Sequence, residues 1–509
     1  MPVPANDDGT FHVVPTNDDT KASESKTAPE EDGRWSELLR PDYLATTAAL
    51  CLGVALFAFN EFFVATALPT AVEEIGGATL LSWAVTLYLI FAILGGAVAA
   101  TLKARFGARG TLITAALVFV VGTMIATTAG SMPQVLAGRV FQGFGEGIIA
   151  AVCYALIPEL FPARLVPKIF GAEAIVWATA AFGGPLVSGF LTEHWSWRAA
   201  FAVNIPATAI FVALVLAIVP RQKAAPTEKP RPIPLLRLIV VGTGILLISL
   251  SNTATTMPLM IAALATALTI LWAAFATDRR AEHPILPTGA FALAKPLGTG
   301  LWVVMLMPLA QASGSIYLIY GLQHVWSFSP TAAGFSGALM AISWSTAAIL
   351  VASLRSHDLR VKLIPVGPAL LSLGLAGLMI AFAIDEFRLV FPSQIAVGTG
   401  FGLSWGTLSQ LMMDVSPRGE RDKTSAFLPT LQSAGYAIGA AICGLTANLR
   451  GFDENADIAT MHGALFTVFV VACVISTASL YLGLRTVRLA SKSPRRGRGG
   501  SAVEVFAAD

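Results

Sequence analysis

Three ionisable residues stand where an ionisable residue is costly. Arg139 and Glu146 fall inside one apolar run, VLAGRVFQGFGEGIIA, and Glu61 falls inside another, FAFNEFFVATALP. An arginine in a lipid-crossing helix costs at least ~2.5 kcal/mol on insertion scales, so its guanidinium must turn inward and find a partner. Glu61 is the expected partner, because a helix running the other way carries it to a similar depth. Such a pair is either a moving part or a fixed ion pair that aligns two helices. Arg139 and Glu146 lie about two helical turns apart and project from one face. A desolvated carboxyl there can carry a proton at neutral pH, or it can stay protonated and serve only as a hydrogen-bond partner. Glu173, one turn into a further apolar run, is expected to snorkel to the surface.

Residues of this kind need helices that cross a membrane. Of 509 residues, 55% are apolar and 13% are charged, with a mean hydropathy of +0.70. A soluble domain carries about 25% charged residues, so this chain must face lipid. A crossing helix takes roughly 20 apolar residues. That window finds fourteen runs, near 43–70, 77–102, 110–130, 133–157, 168–192, 197–219, 236–254, 258–276, 298–322, 330–354, 361–384, 388–413, 424–448 and 461–485. Basic residues collect in alternate loops, which places both termini in the cytoplasm. Losing any one span would destroy that alternation. Losing the seventh and eighth together would preserve it, so twelve spans is the alternative.

The expected plan is a disordered cytoplasmic tail over 1–41 and a six-helix bundle over 42–220. A cytoplasmic linker over 221–233 leads to two additional spans over 234–277, then a cytoplasmic loop over 278–297. A second six-helix bundle over 298–486 ends in a basic cytoplasmic tail over 487–509.

Several classes of function are set aside. Cys51, Cys153, Cys443 and Cys473 each sit alone in an apolar run and read as packing residues, with no metal site. A net charge of +2 gives no reason to expect a nucleic-acid partner. The basic run SPRRGRGG beside the last span reads as an orientation determinant drawn to anionic headgroups. No nucleotide loop, zinc pair or nucleophile elbow is present, so no enzyme is expected.

The Arg139 run, together with AFGGPLVSGFLTEHWSWRAAFAVNIP, resembles the drug:proton antiporter branch of the major facilitator superfamily. LSWAVTLYLI is similar to that branch's second span. AEHPILP, IYLIYGLQHVWSFSPTAAGFSGAL and LQSAGYAIGAAICG resemble its fourteen-span members. The resemblance covers about 43 to 485. It implies an all-α membrane protein with the major facilitator fold, two six-helix bundles plus two extra central spans. It implies that Arg139 belongs to the conformational and proton-coupling machinery, and Glu61 or Glu146 is the carboxyl expected to trade a proton against substrate. Gly143 and Gly145 beside Arg139, the segment Gly184, Pro185 and Gly189, and Arg105, Gly107 and Arg109 of LKARFGARG would be conformational motifs. Plain helix packing is the other reading of the glycines. Two positions depart from the pattern. The loop's acidic position is Ala104, and the first-span aspartate position is Asn60, with Glu61 about 100° further round the helix.

The implied function is secondary active transport of amphipathic or aromatic small molecules by alternating access, as proton-coupled efflux across the inner membrane by a monomer. No cofactor is expected beyond the proton as coupling ion. The departures motivate an alternative, an importer of a heterocyclic nutrient such as a riboflavin-like vitamin. Candidate substrate residues are Asn60, Trp83, Tyr88, Gln142, Gln323, Trp344, Trp405, Gln410 and Gln432, polar or aromatic groups suited to a mostly apolar cavity. Tyrosines and tryptophans near span ends read equally well as interfacial anchors.

Overall fold

The computed structural model describes residues 35–162, 165–220, 235–251, 257–280, 284, 286–354, 356–417, 420–453 and 455–492. Among these, the long regular elements are all α-helices. They run α1 Pro41–Ile75, α2 Leu81–Thr127, α3 Met132–Leu160, α4 Val166–His194, α5 Trp197–Ala202, α6 Asn204–Ile218, α7 Leu235–Ser251 and α8 Met257–Arg279. The second part of the chain gives α9 Pro296–Ser313, α10 Ile319–His324, α11 Pro330–Ser353, α12 His357–Leu363, α13 Val366–Ile384, α14 Val390–Asp414, α15 Arg421–Asn448 and α16 Ile458–Lys492. Proline opens α1, α3, α4, α9 and α11, where its missing N–H leaves no helical bond unmade. A π-helical turn, Gly314–Leu318, links α9 to α10.

Ten helical segments among the described residues are long and apolar enough to cross a bilayer. The longest, Ala78–Thr127, is interrupted at Gly107, whose φ of 72° and ψ of 164° end one helical stretch and start another. Both stretches pack on α3, in opposite directions. Before the break, Tyr88 and Ala92 meet Gly143 and Gly147; after it, Gly122 meets Gly138 and Ala115 meets Gly145. The chain therefore reverses at Gly107.

Helices α1 to α6 pack among themselves, as do α9 to α16. The two groups meet where α4 lies on α11 and where α15 lies on α2. Hydrogen bonds between them gather at the end of the molecule that carries the α1–α2 connection. Thr70 Oγ1 donates to Gln323 Oε1 at 3.1 Å, Gln323 Nε2 to the Thr66 carbonyl at 3.2 Å, and Asn448 Nδ2 to the Thr79 carbonyl at 2.9 Å. The pair α7–α8 packs beside α2 and α15, pinned by Arg237 Nη1 to Asp278 Oδ1 at 2.9 Å.

Two expectations about chain ends need adjustment. The N-terminal tail was expected to run to residue 41, yet Trp35–Leu39 forms a 3-10 turn with Leu38 buried. Trp35 is held there under Lys168 and against Gly171. The basic tail was expected from 487, yet α16 continues to Lys492. Residues 1–34, the linker 221–233 and residues 493–509 lie outside the described residues.

Candidate functional site

Seven buried polar side chains of the N-terminal helices, Asn60, Tyr88, Thr123, Arg139, Gln142, Glu146 and Asn204, form one connected network. Glu146 Oε2 accepts from Tyr88 O–H at 2.7 Å and from Asn60 Nδ2 at 3.0 Å. Asn60 Oδ1 in turn accepts from Asn204 Nδ2 at 3.1 Å. Glu146 Oε1 is buried and has no hydrogen-bond partner. The Arg139 guanidinium lies over the Tyr88 ring, 3.9 Å from its centroid. Arg139 donates from Nε to the Ala84 carbonyl at 3.1 Å and from Nη1 to Gln142 Oε1 at 2.8 Å. Gln142 Nε2 then donates to Thr123 Oγ1 at 3.0 Å. Asn60, Tyr88, Arg139, Gln142 and Glu146 are each at most 2% exposed.

Local sequence explains this convergence. A Cβ on Gly143 would run into the Tyr88 backbone carbonyl, so only glycine lets α2 come this close to α3. That approach sets the phenol between Arg139 and Glu146. The arginine gains cation–π stabilisation and two charge-assisted hydrogen bonds, which together replace the water it has lost.

Beside the network lies a small cavity between the two helix groups. Glu61, Tyr88 and Arg139 line it from one side; Ser315, Ile316 and Tyr436 line it from the other. Ser315 and Ile316 stand on the π-helical turn, an irregularity that often marks a functional position. Two tyrosines, an arginine and a carboxyl thus meet at one buried place.

The expected Glu61–Arg139 ion pair does not form. Asn60, not Glu61, bonds Glu146 of α3, while Glu61 and Arg139 line the same cavity without pairing, Arg139 being held by Ala84 and Gln142. Glu173 does not snorkel either: it is 2% exposed. Of the candidate substrate residues, Tyr88 lines the cavity, whereas Asn60 and Gln142 are spent inside the network. Gln323 ties the helix groups together instead. Trp83 is half-buried against the core, its indole nitrogen unpartnered. Trp344 stacks on Phe401 at 4.9 Å and Trp405 lies 6.0 Å from the same ring. Gln410 and Gln432 are half-buried and outside the cavity lining.

The glycine and proline segment of α4 sits at the junction between helix groups. Gly184 faces Phe62, Pro185 faces Gly334 of α11, and Gly189 faces Thr331. In the α2 break, Arg105 is exposed over the Phe106 ring and Arg109 is half-buried. Lys103 there bridges to Glu159 of α3. Sequence reading passed over Asn204, Thr123, Ser315 and Tyr436. Asn204 left a trace, a lone amide in an apolar run; Tyr436 left none beyond its place between Gly435 and Gly439.

A bundle of this kind, with a charged network buried at a cavity between two helix groups, defines a polytopic membrane transporter. The family model described as Major Facilitator Superfamily matches residues 50–440, and the chain belongs to that family. A Mycobacterium tuberculosis protein named a probable multidrug-efflux transporter is 29% identical over 461 residues, 88% of this chain and 96% of that one. The multidrug efflux pump SdrM of Staphylococcus aureus is 24% identical over 444 residues, covering 85% of this chain and 96% of that one. A crystal structure of an auto inhibited POT family peptide transporter superposes with a TM-score of 0.64 at 15% identity, covering 90% of this chain and 98% of that one, which shows the fold. The chain is a multi-pass membrane transporter for small molecules, not an enzyme.

Proposed function

We propose that this transporter exports small amphipathic or aromatic molecules in exchange for protons. The observation that carries the reading is Glu146, whose Oε2 takes two donors while Oε1, equally buried, takes none. A proton arriving on Oε1 cancels the charge to which Asn60 and Tyr88 are hydrogen-bonded. Tyr88 also forms the wall of the cavity and the platform for Arg139, so the change reaches the solute site through one side chain. Glu61 adds a second carboxyl inside that cavity. Transport then follows from rocking of the α1–α6 group against the α9–α16 group about the α4–α11 and α2–α15 contacts.

Fourteen spans fit this reading. The Gly107 reversal makes two spans of α2, α7 pairs with α8, and α14 and α15 are as deeply packed as their neighbours. The protein would sit in the inner membrane as a monomer, both termini in the cytoplasm. The efflux named for its relatives supports the direction. The departures at Ala104 and Asn60 keep one second reading, uptake of a heterocyclic nutrient.

Everted vesicles from cells expressing the protein decide between them. Ethidium, a planar aromatic cation, should accumulate inside when the lumen is acid and leak back when the gradient is collapsed. Absence of gradient-driven accumulation for a panel of aromatic dyes, with growth rescue of a nutrient auxotroph, would instead establish the importer.

A further inference from the structure

Glu173 takes no part in the network above. It is 2% exposed, and neither of its carboxyl oxygens has a hydrogen-bond partner. The titratable side chains that reach it are Cys51 of α1 and Cys153 and Tyr154 of α3. Helix α11, which also packs on α4, carries no titratable residue along its length. Arg198 of α5 is engaged by Glu74 at the far end of α4, Lys168 lies over Trp35, and Glu37 is the acidic residue of the Trp35–Leu39 turn. No described cation interacts with Glu173.

Its position relates it to Glu146. Cys153 follows Glu146 on α3 by two helical turns, roughly 10 Å nearer the C-terminal end of α3. Trp177 stands one turn beyond Glu173 on the same face of α4. Its indole meets Phe57 edge-on at 5.8 Å, and Phe57 stacks on Tyr88 at 5.9 Å. The two carboxyls are thus the ends of one contiguous column, Glu173, Trp177, Phe57, Tyr88, Glu146.

We propose that Glu173 is a further proton-carrying carboxyl, one layer nearer the C-terminal end of α3 than Glu146 and divided from it by Phe57 and Trp177. Its use in coupling rests on the proton-exchange reading above; its capacity to carry a proton does not. A carboxyl stripped of water and given no donor is unsupported as an anion, and packing alone would be served better by an apolar side chain. Phe57 and Trp177 keep the two acids from exchanging a proton directly. Movement of α4, which carries Pro185 at the junction of the helix groups, is the step that admits water to one acid at a time.

The test begins with purified wild-type protein and dicyclohexylcarbodiimide, which adds to protonated carboxyls in apolar surroundings. Peptide mass spectrometry should find the adduct on Glu173, with labelling that falls as pH rises. In proteoliposomes, E173Q should lose at least tenfold of pH-driven ethidium transport while ethidium exchange without a gradient persists, and E173D should recover part of the loss. An unlabelled Glu173 at every pH, or E173Q transporting as wild type, overturns the proposal. If E173Q does not accumulate, the wild-type labelling decides. If wild-type protein shows no proton-driven transport, the proposed function fails, and the labelling still reports on Glu173.

Discussion

Arg139 and Glu146 share Tyr88 rather than touching each other. The phenol donates to Glu146 Oε2 at 2.7 Å, while the ring lies 3.9 Å beneath the Arg139 guanidinium. Two groups on one helix are therefore coupled through a side chain of its neighbour. Whatever alters the charge on Glu146 alters the seat of Tyr88, and with it both the arginine and the cavity wall.

Removing the hydroxyl isolates the two. A hydrogen bond to a charged group contributes about 1.5–3 kcal/mol, so Tyr88→Phe should reduce proton-driven transport at least about tenfold. The ring and its stacking survive, so the yield of folded protein in detergent should match wild type. Transport rates in proteoliposomes at several pH values check this.

The close approach of α2 to α3 is a separate requirement. Gly143→Ala places a methyl against the Tyr88 backbone carbonyl and should cost roughly 1–3 kcal/mol of stability, with a clear drop in melting temperature. Gly183, four residues from Val187 on α4, has nothing within 4 Å of its virtual Cβ, so Gly183→Ala should be neutral. Equal melting temperatures for both variants would contradict the packing described.

The contact between Thr70 and Gln323 should open during transport. In a background with Cys51, Cys153, Cys443 and Cys473 replaced, T70C/Q323C should be joined by a short, reducible bis-methanethiosulfonate cross-linker. Transport should stop, and reduction should restore it. Full activity of the cross-linked protein, verified by mass, would show that the helix groups do not separate at this end.

The helices were legible because lipid demands long apolar runs, and Arg139, Glu146, Tyr88, Asn60 and Gln142 were legible because each is polar where polarity is costly. Their partners were not. Sequence spacing gives depth along a helix, but the direction a side chain takes depends on which helix lies beside it. Thus Glu61 and Arg139 reach one cavity without pairing, and Asn60, beside Glu61 on α1, meets Glu146. Glu173 was misjudged for the same reason, because one turn into a span is shallow enough to snorkel unless α1 and α3 close over it. The C-terminal wall of the cavity was hidden because Ser315 and Tyr436 carry no charge. The amino-acid order does not announce the π-helical turn that presents Ser315.

The most direct test of the central claim uses Glu146→Gln in proteoliposomes, measured two ways. With an imposed pH gradient, ethidium transport should be lost, because a glutamine has no proton to carry. With ethidium on both sides and no gradient, exchange should continue, because the cavity and the rocking helices are intact. Gradient-driven transport equal to wild type would contradict the account and remove Glu146 from the coupling mechanism.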